Sequence, residues 1–158
     1  MDFKMEINLG TKAETLVNLR NNLLSARIAP LVYFSISDWF EDRQLCVKKI
    51  ESEFDDNLLI VRSSSKREDS VAGSSAGAFL SLQNIQKDKL EEAIDKVIAS
   101  YGQSSAEDQV LVQPMLQYVC RSGVAFSHDP NTCAPYRVVN WAEGNNTAVI
   151  TGLSLIHI

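Results

Sequence analysis

The chain has 158 residues, 45 % of them apolar and 22 % charged, and a formal charge of −5. That length supports one domain with a real core, and no stretch reaches the roughly eighteen consecutive apolar residues of a membrane span. The acidic balance argues against a nucleic-acid binder, which carries a basic surplus, but thirteen of the fifteen Lys and Arg residues precede residue 100, so a local anion site stays open.

The first predicted element starts at Thr11. Thr11 and Glu14 have the S/T-x-x-E spacing of a capping box, and Leu16, Leu19, Leu23 and Leu24 recur at helical spacing up to Ile28-Ala29-Pro30, so a helix is expected over 11–26. Leu31 to Ile36 reads as a short strand and Trp39 to Phe54 as a less regular helix. Leu58-Leu59-Ile60-Val61 is a buried-strand candidate with Arg62 at its end. Ser63 to Gly77, rich in Ser, Gly and Ala, reads as an exposed loop. Ala78 to Ile85 resumes strand character. Leu90, Ile94, Val97, Ile98 and Tyr101 then form one helical stripe over 88–101, with Glu92 and Lys96 paired on the other face.

Gln109 to Met115, Gly123 to Ser127, Tyr136 to Trp141 and Asn146 to Thr151 are strand candidates separated by turns, an apparent antiparallel meander. Helices and strands first, then a strand-rich block, point to an α+β fold. Residues 1–152 are expected to form the domain. The tail 153–158 has no closing cap and reads as an interruption of a larger fold or a foreign extension. Cys46, Cys120 and Cys133 form no CxxC pair, and only His128 and His157 could join them, which disfavours zinc. Free thiols and a start without a signal-peptide core make the cytoplasm the expected compartment.

Val61-Arg62-Ser63-Ser64-Ser65-Lys66-Arg67-Glu68-Asp69 is the most informative local stretch. An arginine fixed by a strand presents a planar fork of donors suited to phosphate oxygens, and small residues from Val71 to Gly77 let backbone N–H groups approach an anion. The competing reading is an ordinary charged surface loop. No GKS or GKT follows the glycines, so this is not a Walker A loop.

Four blocks resemble the N-terminal nucleotide-binding domain of phosphoenolpyruvate synthase and pyruvate phosphate dikinase. They are Leu9-Gly10-Thr11-Lys12-Ala13-Glu14-Thr15-Leu16 with Ile28-Ala29-Pro30; Val61-Arg62-Ser63-Ser64 through Glu68-Asp69 to Ala76-Gly77; Val112-Gln113-Pro114-Met115; and Ser122-Gly123-Val124-Ala125-Phe126-Ser127-His128-Asp129-Pro130-Asn131-Thr132. The resemblance implies a partial ATP-grasp-like fold binding ATP with Mg2+. It also implies that Lys12 and Arg62 grip phosphate and assist its transfer, beside Ser63 of the same block. Gly73 to Gly77 would be the mobile phosphate loop, and Gln113 to Met115 would line the adenine site. Magnesium ligands are expected near the strand after Ser122-Gly123-Val124, where Asn140 stands in place of a glutamate and Glu143 follows.

In the complete enzyme that the resemblance implies, ATP phosphorylates a histidine on a downstream domain, and an acceptor-binding domain passes the phosphoryl group to pyruvate or a similar acceptor. His128 is given no such role, because the family's phosphohistidine lies in that downstream domain. Neither nucleic acid nor membrane is an expected partner. The rival readings are a non-catalytic nucleotide-binding or regulatory module, which the neutral Asn140 favours, and an interaction domain with an empty pocket.

Overall fold

The computed structural model describes residues 10–20, 22–54, 58–65, 80–102 and 104–144. Asn146 to Thr151, Gly73, Gly77 and the tail 153–158 lie outside the described residues. The chain divides into two compact units, Met1–Met115 and Leu116–Ile158.

The first unit is built on a four-stranded antiparallel sheet of order β1-β4-β2-β3, from β1 (Val32–Ser35), β2 (Leu59–Ser64), β3 (Ser81–Ile85) and β4 (Gln109–Pro114). Alternation sends Phe34, Leu59, Val61, Val110 and Val112 to one face. That face carries the main core, closed by Ile36 and Trp39 of α2 (Ile36–Glu41), Cys46 and Ile50 of α3 (Arg43–Glu53) and the stripe of α4 (Leu90–Ser100). The stripe predicted from spacing is buried throughout, Tyr101 included, and Glu92 pairs with Lys96 at 2.8 Å. Leu111 points to the opposite face, where it packs with Ala13 of α1 (Lys12–Arg20), Leu31 and their neighbours Leu16 and Ile28.

Several boundaries differ from the sequence expectation for physical reasons. Helix α1 ends at Arg20 instead of 26. Leu24 is fully exposed and Leu23 keeps more than a third of its surface exposed, so the leucine spacing continues past the surface that buries it, and burial is what sustains a short helix. Asn22 also donates its side-chain amide to the Asn18 carbonyl at 2.7 Å. The predicted helix over 39–54 is two helices. Asp42 leaves helical geometry (φ −149°, ψ 89°) and its carboxylate accepts the Leu45 N–H at 2.9 Å, so it caps α3 instead of continuing α2.

Two further corrections concern strands. Arg62 does not end a strand, because β2 continues through Ser64, with Arg62, Ser63 and Ser64 paired to Leu111, Val110 and Gln109. The meander expected from Gln109 onward is broken as well. Strand β4 is inserted between β1 and β2, while β5 (Arg121–Phe126) and β6 (Val138–Glu143) pair with each other in the second unit.

Candidate functional site

The N-terminal turn of α1 is held by the predicted capping box. Glu14 N–H donates to the Thr11 hydroxyl at 3.2 Å, and the Glu14 carboxylate accepts the Thr11 N–H at 2.9 Å. Gly10 is required beside it, because a Cβ there would fall on the Glu14 carboxylate. The turn is tied to the sheet as well: Ala13 N–H donates to the buried Ser64 hydroxyl at 2.9 Å. Lys12 therefore leaves the helix next to the end of β2, and its ammonium lies 3.4 Å from the Ser63 carbonyl.

Arg62 sits one residue before that carbonyl. Its pairing with Leu111 puts its side chain on the α1 side of the sheet. There its Nε is buried without a hydrogen-bond partner among the described residues. A guanidinium nitrogen removed from water and left without an acceptor is costly, by roughly 1–3 kcal/mol or more. An anion brought to that face would relieve the cost.

Gln113 pairs with Ile60, two rungs along the same face as Arg62. Its side-chain amide donates to the Ala29 carbonyl at 3.4 Å and it is 8 % exposed, so the side chain packs the Ile28-Ala29-Pro30 segment against β4. Ser63 is different. Its side chain alternates to the core face opposite Val110, and only its carbonyl turns toward Lys12. The structure thus brings Lys12, Arg62 and Gln113 to one side of the sheet and sends the Ser63 hydroxyl to the other.

The backbone at Met115 has a defined polarity. Met115 N–H donates to the Leu58 carbonyl at 2.7 Å. In a trans peptide the preceding C=O points the opposite way, so the Pro114 carbonyl faces away from β2. The ladder with β1 has its last pair at Val32 and Val112. Extended two residues, it would set Pro30 opposite Pro114, and Pro30 has no N–H to give. Pro30 therefore donates no backbone hydrogen bond to the Pro114 carbonyl.

Asn140 and Glu143 lie on β6, three residues apart, opposite Val124 and Arg121. An odd spacing on a regular strand sends side chains to opposite faces. They do not converge, and among the described residues no group of three His, Cys, Asp or Glu side chains is placed to hold a metal.

A cavity of about 520 Å³ opens beside the first turn of α1, lined by Thr11, Glu14, Ser65, Glu107, Asp108 and Gln109 among others. Three carboxyl groups and no Lys or Arg in its lining make it a poor host for phosphate, so the Arg62 face is the better candidate. Sequence reading missed Ser64, Tyr101 and Gln109 as parts of this arrangement. Tyr101 looked like the last member of an apolar stripe, and nothing in the spacing marked its hydroxyl.

A half-buried arginine and a lysine at a capped helix start lie on one side of the sheet of an α+β unit. Residues 7–154 match the family described as pyruvate phosphate dikinase, AMP/ATP-binding domain, and the chain belongs to that family. None of the curated proteins matches the chain. Among the described residues, no helix is long and apolar enough to cross a membrane.

Proposed function

We propose that the chain binds ATP on the α1 side of the first sheet, as the nucleotide-binding portion of an ATP-grasp-type phosphotransferase. Arg62 carries this reading through its buried Nε without a partner among the described residues. A phosphate group accepts two charge-assisted hydrogen bonds from such a guanidinium through two of its oxygens. Lys12, held beside the Ser63 carbonyl, adds a compact positive charge to the same region. The Pro114 carbonyl is an acceptor suited to the 6-amino group of adenine, and Met115, with its N–H committed to Leu58, contributes side-chain packing. The family match supports AMP or ATP as the ligand.

In the larger enzyme, the bound nucleotide would donate a phosphoryl group to a histidine of a further domain, and from there to pyruvate or a similar acceptor. Positioning and positive charge are most of what such a transfer asks of the protein, and Arg62 and Lys12 fill those roles. Magnesium enters this reading as part of the nucleotide complex, with no ligand role given to Asn140 and Glu143 as a pair. Calorimetric titration of the whole chain with ATP and with adenosine tests the proposal. ATP should bind with the higher affinity, because only it carries the anion that Arg62 needs. Equal affinity for both, or no binding of ATP, would remove the phosphate site.

A further inference from the structure

The first turn of α1 is fastened to the sheet by a closed circuit of hydrogen bonds that centres on Gln109. The Thr11 hydroxyl donates to the Gln109 side-chain carbonyl at 2.6 Å, and the Gln109 amide donates to Glu14 at 2.9 Å. The other oxygen of Glu14 accepts the Thr11 N–H. Below the side chain, the backbone carbonyl of Gln109 accepts the Tyr101 hydroxyl, which in turn accepts the Ser64 N–H at 2.8 Å. Ser64 closes the circuit through its own hydroxyl, which takes the Ala13 N–H.

Gln109 is opposite Ser64 in the β2–β4 register. In an antiparallel ladder alternate opposite pairs exchange backbone hydrogen bonds, and the Met115 N–H donating to the Leu58 carbonyl sets the phase so that Ser64 and Gln109 are such a pair. Here the Tyr101 hydroxyl bonds to both the Ser64 N–H and the Gln109 carbonyl and links the two. Thr11, Ser64 and Tyr101 are all buried, so water does not readily replace a lost member, and networks of this kind act as units. Lys12 lies inside the circuit, between Thr11 and Ala13, and its amine reaches the Ser63 carbonyl. Any loosening of the turn moves Lys12 relative to Arg62.

We infer that Gln109 is a positioning residue for nucleotide phosphate: it fixes the first turn of α1 so that Lys12 stands over the end of β2 beside Arg62. The inference rests on the phosphate site proposed above. Gln109 does not itself contact the nucleotide, and it acts through Lys12.

The test is a double-mutant cycle read by calorimetry on the whole chain with ATP and adenosine. Gln109→Leu keeps the approximate size of the side chain and removes both of its polar contacts. It should weaken ATP by about three- to tenfold, the scale of a coupling of this kind, and leave adenosine binding unchanged. In a Lys12→Ala background the same substitution should cost no further ATP affinity, a result that a merely structural role would not give. Tyr101→Phe keeps the buried ring and removes the link, so it should repeat the pattern even if Gln109→Leu fails to fold. Losses that add fully in the double variant, equal losses for ATP and adenosine, or unchanged ATP affinity in the folded variants would overturn the inference while the nucleotide site stands. Failure of the wild-type chain to bind ATP would overturn both.

Discussion

Single atoms decide two features of this molecule. Arg62 holds a charged nitrogen out of water with no acceptor among the described residues, an arrangement that stability alone does not favour. Gly123 is the second case. It pairs with Trp141 across β5 and β6, and a Cβ at this position would fall against the Asn140 carbonyl and the backbone and Cβ of Trp141. The indole is flanked by Arg121, whose guanidinium carbon lies 5.1 Å from the ring centroid, a cation–π contact. Because backbone atoms block the added methyl, relaxation is difficult and Gly123→Ala should destabilise the hairpin by about 1–3 kcal/mol. Urea unfolding followed by tryptophan fluorescence would measure this, and an unchanged midpoint would mean that the strands can part at no cost.

At the scale of the element, caps set boundaries that apolar spacing cannot. Ser35 caps α2: its hydroxyl accepts the Asp38 N–H at 3.1 Å, and its own N–H donates to the Asp38 carboxylate at 2.9 Å. Hydrogen bonding to the carboxylate itself, from the Ser35 side chain first and the Ser35 N–H second, holds the Asp38 carboxyl below its ordinary value. A lowered folded-state pKa contributes stability that is present above the unfolded value and is lost as pH falls through the folded one. Ser35→Ala should therefore cost about 1 kcal/mol near neutral pH, and the difference from wild type should shrink in acid; thermal unfolding of both chains across that range checks it. The Thr11–Glu14 box and the α4 stripe were legible because each is a local pattern with a single geometric solution. The break at Asp42 was not, since an aspartate between two apolar-spaced segments reads equally well as a surface residue. The early end of α1 was hidden because leucine spacing says nothing about whether a burying surface exists. The placement of β4 between β1 and β2 was invisible for a deeper reason: strand order depends on pairings between residues 45 to 80 apart, and no local rule encodes them.

Over the whole molecule, stability is distributed unevenly between the two units. The four-stranded sheet is packed on both faces, and Val110, Leu111 and Val112 of its central strand are fully buried. The β5–β6 pair is two-stranded, and Phe126, Val139 and Trp141 keep more than a third of their surface exposed. Two strands alone are marginal in water. Native-state hydrogen exchange should show the slowest amides in β4 and markedly faster exchange in β5 and β6; equal protection would indicate cover on the hairpin from residues outside those described. Short motifs marked Arg62 and Gln113, which strand pairing puts on one side of the sheet, whereas the opposite faces taken by Arg62 and Ser63, and by Asn140 and Glu143, follow from strand alternation, which closeness in sequence does not reveal. The family assignment rests on the chain as a whole, but the phosphate site rests on one side chain. Titration of the intact chain with ATP, comparing wild type with Arg62→Ala, tests that site most directly. Loss of charge-assisted hydrogen bonds worth roughly 1.5–3 kcal/mol predicts an affinity lower by about one to two orders of magnitude, while an unchanged affinity in a folded Arg62→Ala chain would contradict the account.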